Sequence, residues 1–312
     1  MPYSLDDRLV IGIASSALFD LAKSDKVFRK HGVRAYREYQ EERLSKPLRP
    51  GVAFPFIKRL LSLNGLTEEN NPLVEVIVLS KNSPDTGLRV MRSIKHHALP
   101  ITRAIFQQGR SPFGFMHALN MSLFLSGSQG DVRQAVGEGL PAGCVIKSEF
   151  VDDEEVDLRI AFDFDGVLAD DESERVMQGN GLEKFHEHET TNLAATHNPG
   201  PLKDFLKGIN RIQQREEEKR LADPKYRVRV RVSVVTARNA PSHERAVLSL
   251  KEWGLRVNDA FFLGGIDKSK VLQVLKPHLF FDDQKLNLET AALTVPCVHV
   301  PFGVINEGVK TK

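Results

Sequence analysis

Two stretches of the chain read as near copies of each other. VEVIVLSKNSP, Val74 to Pro84, lines up with VRVSVVTARNAP, Val230 to Pro241. Three more pairs follow in the same order. VIGIASSALFD, Val10 to Asp20, answers RIAFDFDGVLAD, Arg159 to Asp170. ALPITRAIFQQG, Ala98 to Gly109, answers GLRVNDAFFLGG, Gly254 to Gly265, and MSLFLSGSQGDV, Met121 to Val132, answers PHLFFDDQKLNL, Pro277 to Leu288. Any two α/β halves look somewhat alike. Shared details, such as NSP with NAP and the glycine closing each third run, favour a duplication over that general likeness. In each half, short β-branched runs alternate with longer amphipathic segments. That pattern predicts an α/β fold with a largely parallel sheet in each of two similar units.

With 312 residues there is chain enough for both. The expected units are 1–150 and 151–312, joined near the acidic stretch EFVDDEEVD, 149–157. Each carries a polar insertion after its first run. In the first half it spans about 21–72 and includes VRAYREYQEERLSK; in the second it spans about 171–227 and includes the helical stretch PLKDFLKGINRIQQREEEKRLADP, which Pro224 ends. The run EEEKR within it reads as a solvated helix face.

The second half carries the chemistry. LRIAFDFDGVLADDESE, Leu158 to Glu174, ends an apolar strand on Asp163 and Asp165. In parallel sheets, ligands bind just beyond the carboxyl ends of the strands. Alternation turns the two carboxylates to roughly the same side, where each needs a cation or a proton. A hard cation with oxygen ligands, Mg²⁺, suits them. Other strand ends match. VSVVTAR ends in Thr236 before a helix, placed for a phosphate oxygen. AFFLGGIDKSK brings Lys268, a cation for a phosphoryl group, with Lys270 as its rival, and HLFFDDQ ends in Asp282 and Asp283. Singly these are weak signals; as an ordered set of strand ends they point to phosphoryl chemistry.

The ordered set resembles the haloacid dehalogenase superfamily of aspartate-nucleophile phosphohydrolases. AFDFDGVLADDESE, LKEWGL, VVTAR and KPHLFFDDQ, with FPFIKRLLSLN and LSKNSPDTGLRV in the first half, further resemble the AMP-preferring cytosolic type I 5'-nucleotidases. The resemblance extends over nearly the whole chain. It implies two related Rossmann-like units of haloacid-dehalogenase type, the second catalytic with an inserted cap, the first without the catalytic acids. Asp163 would attack phosphorus and Asp165 would serve as acid and then base. The Asp163 side chain, the Asp165 carbonyl and Asp282 would hold Mg²⁺, with Asp283 as a further ligand or just behind one. Thr236 and Lys268 would grip the phosphoryl oxygens.

Substrate contacts are read from the insertion. Phe185 either stacks on a base, with His186 and His188 nearby, or packs the cap. Arg238, two residues after Thr236, either meets phosphate or ribose or lies on the surface. HEHE, 186–189, lacks the spacing that sets two histidines on one helix face for zinc.

In the first half IASSA stands where the acids should be, Ser126 and Gly127 answer the second acid pair, and Pro112 or a neighbour answers Lys268. Ser80 keeps the hydroxyl, followed by Lys81 and Asn82. This half is expected to be catalytically silent. Its roles in view are structural support, a contribution to the substrate pocket, or a nucleotide effector site. Net charge near +2 gives no field for a nucleic acid polymer. No apolar run approaches a membrane span, and the polar, acidic opening MPYSLDDR is unlike a signal peptide. Cys144 and Cys297 read as buried free thiols. The expectation is a soluble cytoplasmic enzyme, with self-association open, acting on a nucleoside monophosphate. The rival readings are a phosphatase of a sugar phosphate or similar ester, and a nucleotide-binding regulator without turnover.

Overall fold

The computed structural model describes residues 3–68, 71–148, 150–153 and 155–307. The chain divides into two compact units, Met1–Leu140 and Pro141–Lys312. In the first unit, strands β1 (Leu9–Ile13), β4 (Val74–Ser80), β5 (Arg103–Phe106) and β6 (Met121–Ser126) pair in the order β6-β1-β4-β5, all parallel. The short β2 (Phe19–Asp20) and β3 (Arg49–Pro50) pair antiparallel beside them. β4 reads VEVIVLS and is buried along its whole length, as expected of a strand covered on both faces. Its one charge, Glu75, is tolerated because Arg103 on β5 pairs with it at 2.6 Å and the Tyr3 hydroxyl donates to it at 2.7 Å.

The second unit orders β7 (Ala142–Val145), β8 (Leu158–Phe162), β9 (Val230–Thr236), β10 (Asp259–Phe262), β11 (Leu279–Asp282) and β12 (Cys297–His299) as β10-β9-β8-β11-β12-β7. β7 runs antiparallel to β12; the other pairs are parallel. The division between units falls ahead of the acidic stretch 149–157, because β7 pairs with β12. Of that stretch, Glu149 and Glu154 lie outside the described residues.

Alternation along β11 sends Phe281 to one face and Phe280 to the other. Phe281 stacks on Phe162 at 5.1 Å, and both meet Phe205 from the helix Lys203–Ala222, whose Leu206, Ile209 and Ile212 are buried with it. On the opposite face Phe280 packs with Val235, Leu272, Leu288 and Val295. Two layers of helix thus hold β8, β9 and β11, so that the residues just past their ends are fixed by a dry core. Both cysteines are buried free thiols.

The strands of the two units share main-chain details. Ala14 donates its N–H to Leu125 O at 2.8 Å, and Asp163 donates to Phe281 O at 2.8 Å. Gln107 donates to Ser80 O at 3.1 Å, and Leu263 to Thr236 O at 3.0 Å. Ala14 therefore occupies in the first unit the place that Asp163 occupies in the second, and Ser80 that of Thr236. The insertions match as well: each opens on a 20-residue helix, Ala22–Glu41 and Glu172–Thr191, broken at Gly32 and Gly181 respectively.

The EEEKR run departs from a solvated face. Glu217 to Arg220 are exposed, but Glu216 is fully buried. One turn beyond Ile212, it lies on the helix's inward side. Its carboxylate accepts from the Arg229 and Val230 N–H groups, both at 2.9 Å, and from the Tyr226 hydroxyl at 2.7 Å. It satisfies the main chain where β9 begins, a role that no charge pattern announces. Glu216→Ala should cost about 2–4 kcal/mol, because buried donors lose their acceptor. Glu218→Ala, on the exposed side, should stay within about 0.5 kcal/mol. Urea unfolding of both variants checks this; equal losses would return Glu216 to the solvated face.

Candidate active site

Asp163 is the first residue past β8 and is buried. One of its oxygens accepts from the Phe164 N–H at 2.7 Å; the other lies 2.8 Å from Lys268 Nζ. Lys268 opens the helix Lys268–Leu275, whose N-cap Asp267 accepts from Ser269 N–H at 2.9 Å. That cap fixes the first turn and turns Lys268 inward, where Nζ also reaches Asp282 at 2.7 Å. Lys270, the alternative, is exposed. Asp282 ends β11, and its other oxygen accepts from the Gln284 N–H at 2.7 Å; Asn287 donates to the same carboxylate at 3.1 Å. Thr236 ends β9, buried, its hydroxyl accepting from the Arg238 N–H at 3.3 Å.

Asp283 completes the cluster. Gly166 has φ +70, and a Cβ there would come within 2.4 Å of an Asp283 oxygen, so the DFDG turn needs a glycine to let that carboxylate in. Oxygens of Asp163, Asp282 and Asp283 lie within 4.8 Å of one another. Burial pushes the Asp163 carboxyl up; Lys268 pulls it back, Asp282 and Asp165 push it further, and it stands at about 7. Burial and the charges of Asp163 and Asp282 raise Asp283 to about 9. For Lys268, burial favours the neutral amine, but Asp163 and Asp282 outweigh it and hold the ammonium above its ordinary value.

The three acids can ionise together only if a further cation joins Lys268, which is why Asp163 and Asp283 hold their protons above the usual range, and Asp283 Oδ1 is buried with no hydrogen-bond partner. An oxygen-ligated divalent cation answers both facts, so Asp163, Asp282 and Asp283 fit a hard metal ion. His186 and His188 belong to no such cluster among the described residues.

Asp165 faces elsewhere. Arg238 grips it with Nε and Nη2, both at 2.7 Å. Each of the two DFD acids thus has a cation of its own. Arg238 is buried, not a surface arginine. It also donates to Glu189 and to Ser242 O, the latter at 3.0 Å. Its guanidinium lies between the rings of Phe164 and Phe185, 5.2 Å from each centroid. Phe185 is buried in the insertion and presents one face to Arg238. His188 stands apart from the acids, 3.5 Å from Glu172 and 3.4 Å from Arg245. Glu189, the last residue of HEHE, is the member that matters here. It is fully buried and meets Ser173 at 2.7 Å, Arg245 at 3.0 Å and His197 at 3.1 Å. Burial alone would raise its carboxyl, but His197 and Arg238 hold it well below the usual range.

Glu189, His197, Arg245 and Asn287 went unread in the sequence. The acid that ends HEHE is the available signal, and Asn287, in the first turn of the helix after the Asp282–Asp283 pair, is a second.

A family model described as 5'-nucleotidase matches residues 1–307. Human "Cytosolic 5'-nucleotidase 1B" is 33% identical over 296 residues, covering 91% of this chain and 47% of that protein. The chain thus spans about half the length of the curated relative it matches. No solved structure matches it significantly. Among the described residues no helix is long and apolar enough to cross a membrane.

If the carboxylate trio binds a divalent cation, MgCl₂ at a hundredfold excess over Kd should raise the unfolding midpoint by roughly 5–10 °C. Asp282→Asn should abolish most of that rise. A midpoint indifferent to MgCl₂, CaCl₂ and MnCl₂ in the unmutated protein would remove the metal assignment.

Proposed function

Because the chain belongs to the 5'-nucleotidase family, we propose that it hydrolyses nucleoside 5'-monophosphates, AMP foremost, to nucleoside and phosphate with Mg²⁺ as cofactor. The preference for AMP follows from the resemblance to the type I family, and the cytoplasm as its place of action follows the cytosolic relative. The observation that carries the reading is the meeting of Asp163, Asp282 and Asp283 around Lys268 at strand ends. Asp163, Asp282 and Asp283 would hold Mg²⁺, with the Asp165 carbonyl as the fourth protein group. When bound, the ion offsets the charge of a phosphate meeting a carboxylate.

Asp163 attacks phosphorus, the bond to the ribose oxygen breaks, and an aspartyl-phosphate forms. The leaving oxygen takes its proton from Asp165. Arg238 grips both its oxygens at 2.7 Å, so neither is free to meet a leaving group. Acting as an acid therefore requires Asp165 to part from Arg238 and carry a proton; Glu189 keeps Arg238 paired meanwhile. In the second half Asp165 accepts a proton from water, which attacks phosphorus, and the bond to Asp163 breaks to release phosphate. Lys268 and the Thr236 hydroxyl bind the phosphoryl oxygens as charge shifts between them. Lys268 has the further task of holding Asp163 ionised and aimed.

Two measurements test the reading. Phosphate release across AMP, other nucleotides, sugar phosphates and para-nitrophenyl phosphate should be highest for AMP, stop in EDTA and return with Mg²⁺. A sugar phosphate turned over faster than any nucleotide would replace the substrate and keep the chemistry; no release from any ester would favour a regulator. Asp163→Asn should lower kcat roughly a thousandfold or more with an unchanged circular dichroism spectrum. Near-normal turnover in that variant would move the nucleophile elsewhere.

A further inference from the structure

The first unit contains a cavity of about 630 Å³, well inside the range of small-molecule sites. Its floor is the carboxyl ends of β1 and β4, with Ser15, Ser16, Ser80 and Asn82; its roof is the broken helix Ala22–Glu41. We propose that this cavity binds an uncharged, flat heteroaromatic molecule bearing hydroxyls, of nucleoside size.

Charge is the first argument. The lining holds two cations, Arg37 and Lys81, and two acids, Asp25 and Asp131. Lys81 is already paired with Asp131 at 2.6 Å. Ala14 takes the place of a carboxylate here, and Ser126 and Gly127 close β6 where Asp282 and Asp283 close β11. There is no acid trio to hold a metal ion for a phosphate, and a phosphate dianion would have to break the Lys81–Asp131 pair or lie beside its carboxylate. A neutral ligand meets neither cost.

Shape and polarity are the second. Phe28 and Tyr36 meet edge to face at 5.8 Å on the roof, and Phe113 lies opposite them in the lining. Phe28 and Val33 remain 49% and 55% exposed, large apolar groups that a bound ring would cover. On the floor, the Asn82 side-chain NH₂ is buried with no hydrogen-bond partner, while its oxygen accepts from the Tyr36 hydroxyl at 3.4 Å. An unmatched buried donor beside several hydroxyls calls for a ligand with acceptors on a polar edge.

Adenosine is the probe, a choice that rests on the 5'-nucleotidase reading; its binding can be scored whether or not the second unit turns substrate over. Hydrogen–deuterium exchange of the full-length protein, titrated with adenosine, should show saturable slowing in 22–41 and 80–86. Phe28→Ala, at an exposed position that leaves the core intact, and Asn82→Ala should each raise the Kd read from those segments about fivefold or more. Four results would overturn the proposal: no protection in those segments, protection confined to 163–170 and 236–242, a Kd unmoved in both variants, or tighter protection of the same segments by AMP, ADP or inorganic phosphate.

Discussion

The ammonium of Lys268 stands 2.8 Å from Asp163 and 2.7 Å from Asp282, all three groups buried. Removing such charges from water costs several kcal/mol each, and mutual attraction repays it only with good geometry and further hydrogen bonds. Those bonds are present: the N–H groups of Phe164 and Gln284 take the remaining oxygens, both at 2.7 Å. The ends of β8 and β11 and the start of the helix Lys268–Leu275 are therefore held together by one cation and two main-chain turns. The core beneath supplies rigidity, with Phe162, Phe205 and Phe281 on one face. Stability and chemistry draw on the same contact, since the arrangement that makes burial of Asp163 tolerable also aims it outward from the sheet.

A second cation does for the cap what Lys268 does for the strand ends. Arg238 joins Asp165, from the turn after β8, to Glu189, from the insertion, and is flanked by Phe164 and Phe185. His197 and Arg245 complete a buried group in which the carboxylates and guanidiniums are matched. A change in how Asp165 is held must be felt at Glu189, through one side chain. The insertion is thus coupled to the reacting end of the sheet by charge rather than by apolar contact alone.

The strand-end acids were legible because strands in parallel sheets are continuous apolar runs, so a carboxylate closing one is conspicuous. Thr236 and Lys268 stand out by the same contrast, and the glycine of DFDG by its place in the turn. What escaped was partnership. Nothing in the order of residues says that Arg238, past β9, would reach Asp165, past the neighbouring β8, or that the glutamate ending HEHE rather than its histidines would lie at the centre of a buried cluster. Glu216 shows the same limit: its neighbours in sequence are solvated, and only the turn of the helix toward the unpaired N–H groups at the start of β9 gives it a different fate. Periodicity reveals which face is apolar; it does not reveal which polar group is recruited to satisfy a buried main chain.

The cavity of the first unit follows from the same frame with smaller and less charged side chains. Where the second unit has Asp163, Arg238 and Lys268, the first has Ala14, Asn82 and Pro112 at the corresponding points past its strands. The ion pairs that Asp163, Lys268 and Arg238 make in the second unit have no counterpart at Ala14 and Asn82, and the helix Ala22–Glu41, broken at Gly32 as its counterpart is at Gly181, leaves a cavity over them. Close packing is the rule in protein interiors, and an enclosed apolar void costs stability in proportion to its volume. The hollow of about 630 Å³ is not lined by apolar groups alone: Ser15, Ser16, Ser80 and Asn82 stand beside Phe28, Tyr36 and Phe113, so that cost does not apply to it in full. The two units thus keep the same order of parallel strands while the side chains past the strand ends differ in charge, and the cavity lies in the unit without the acid trio.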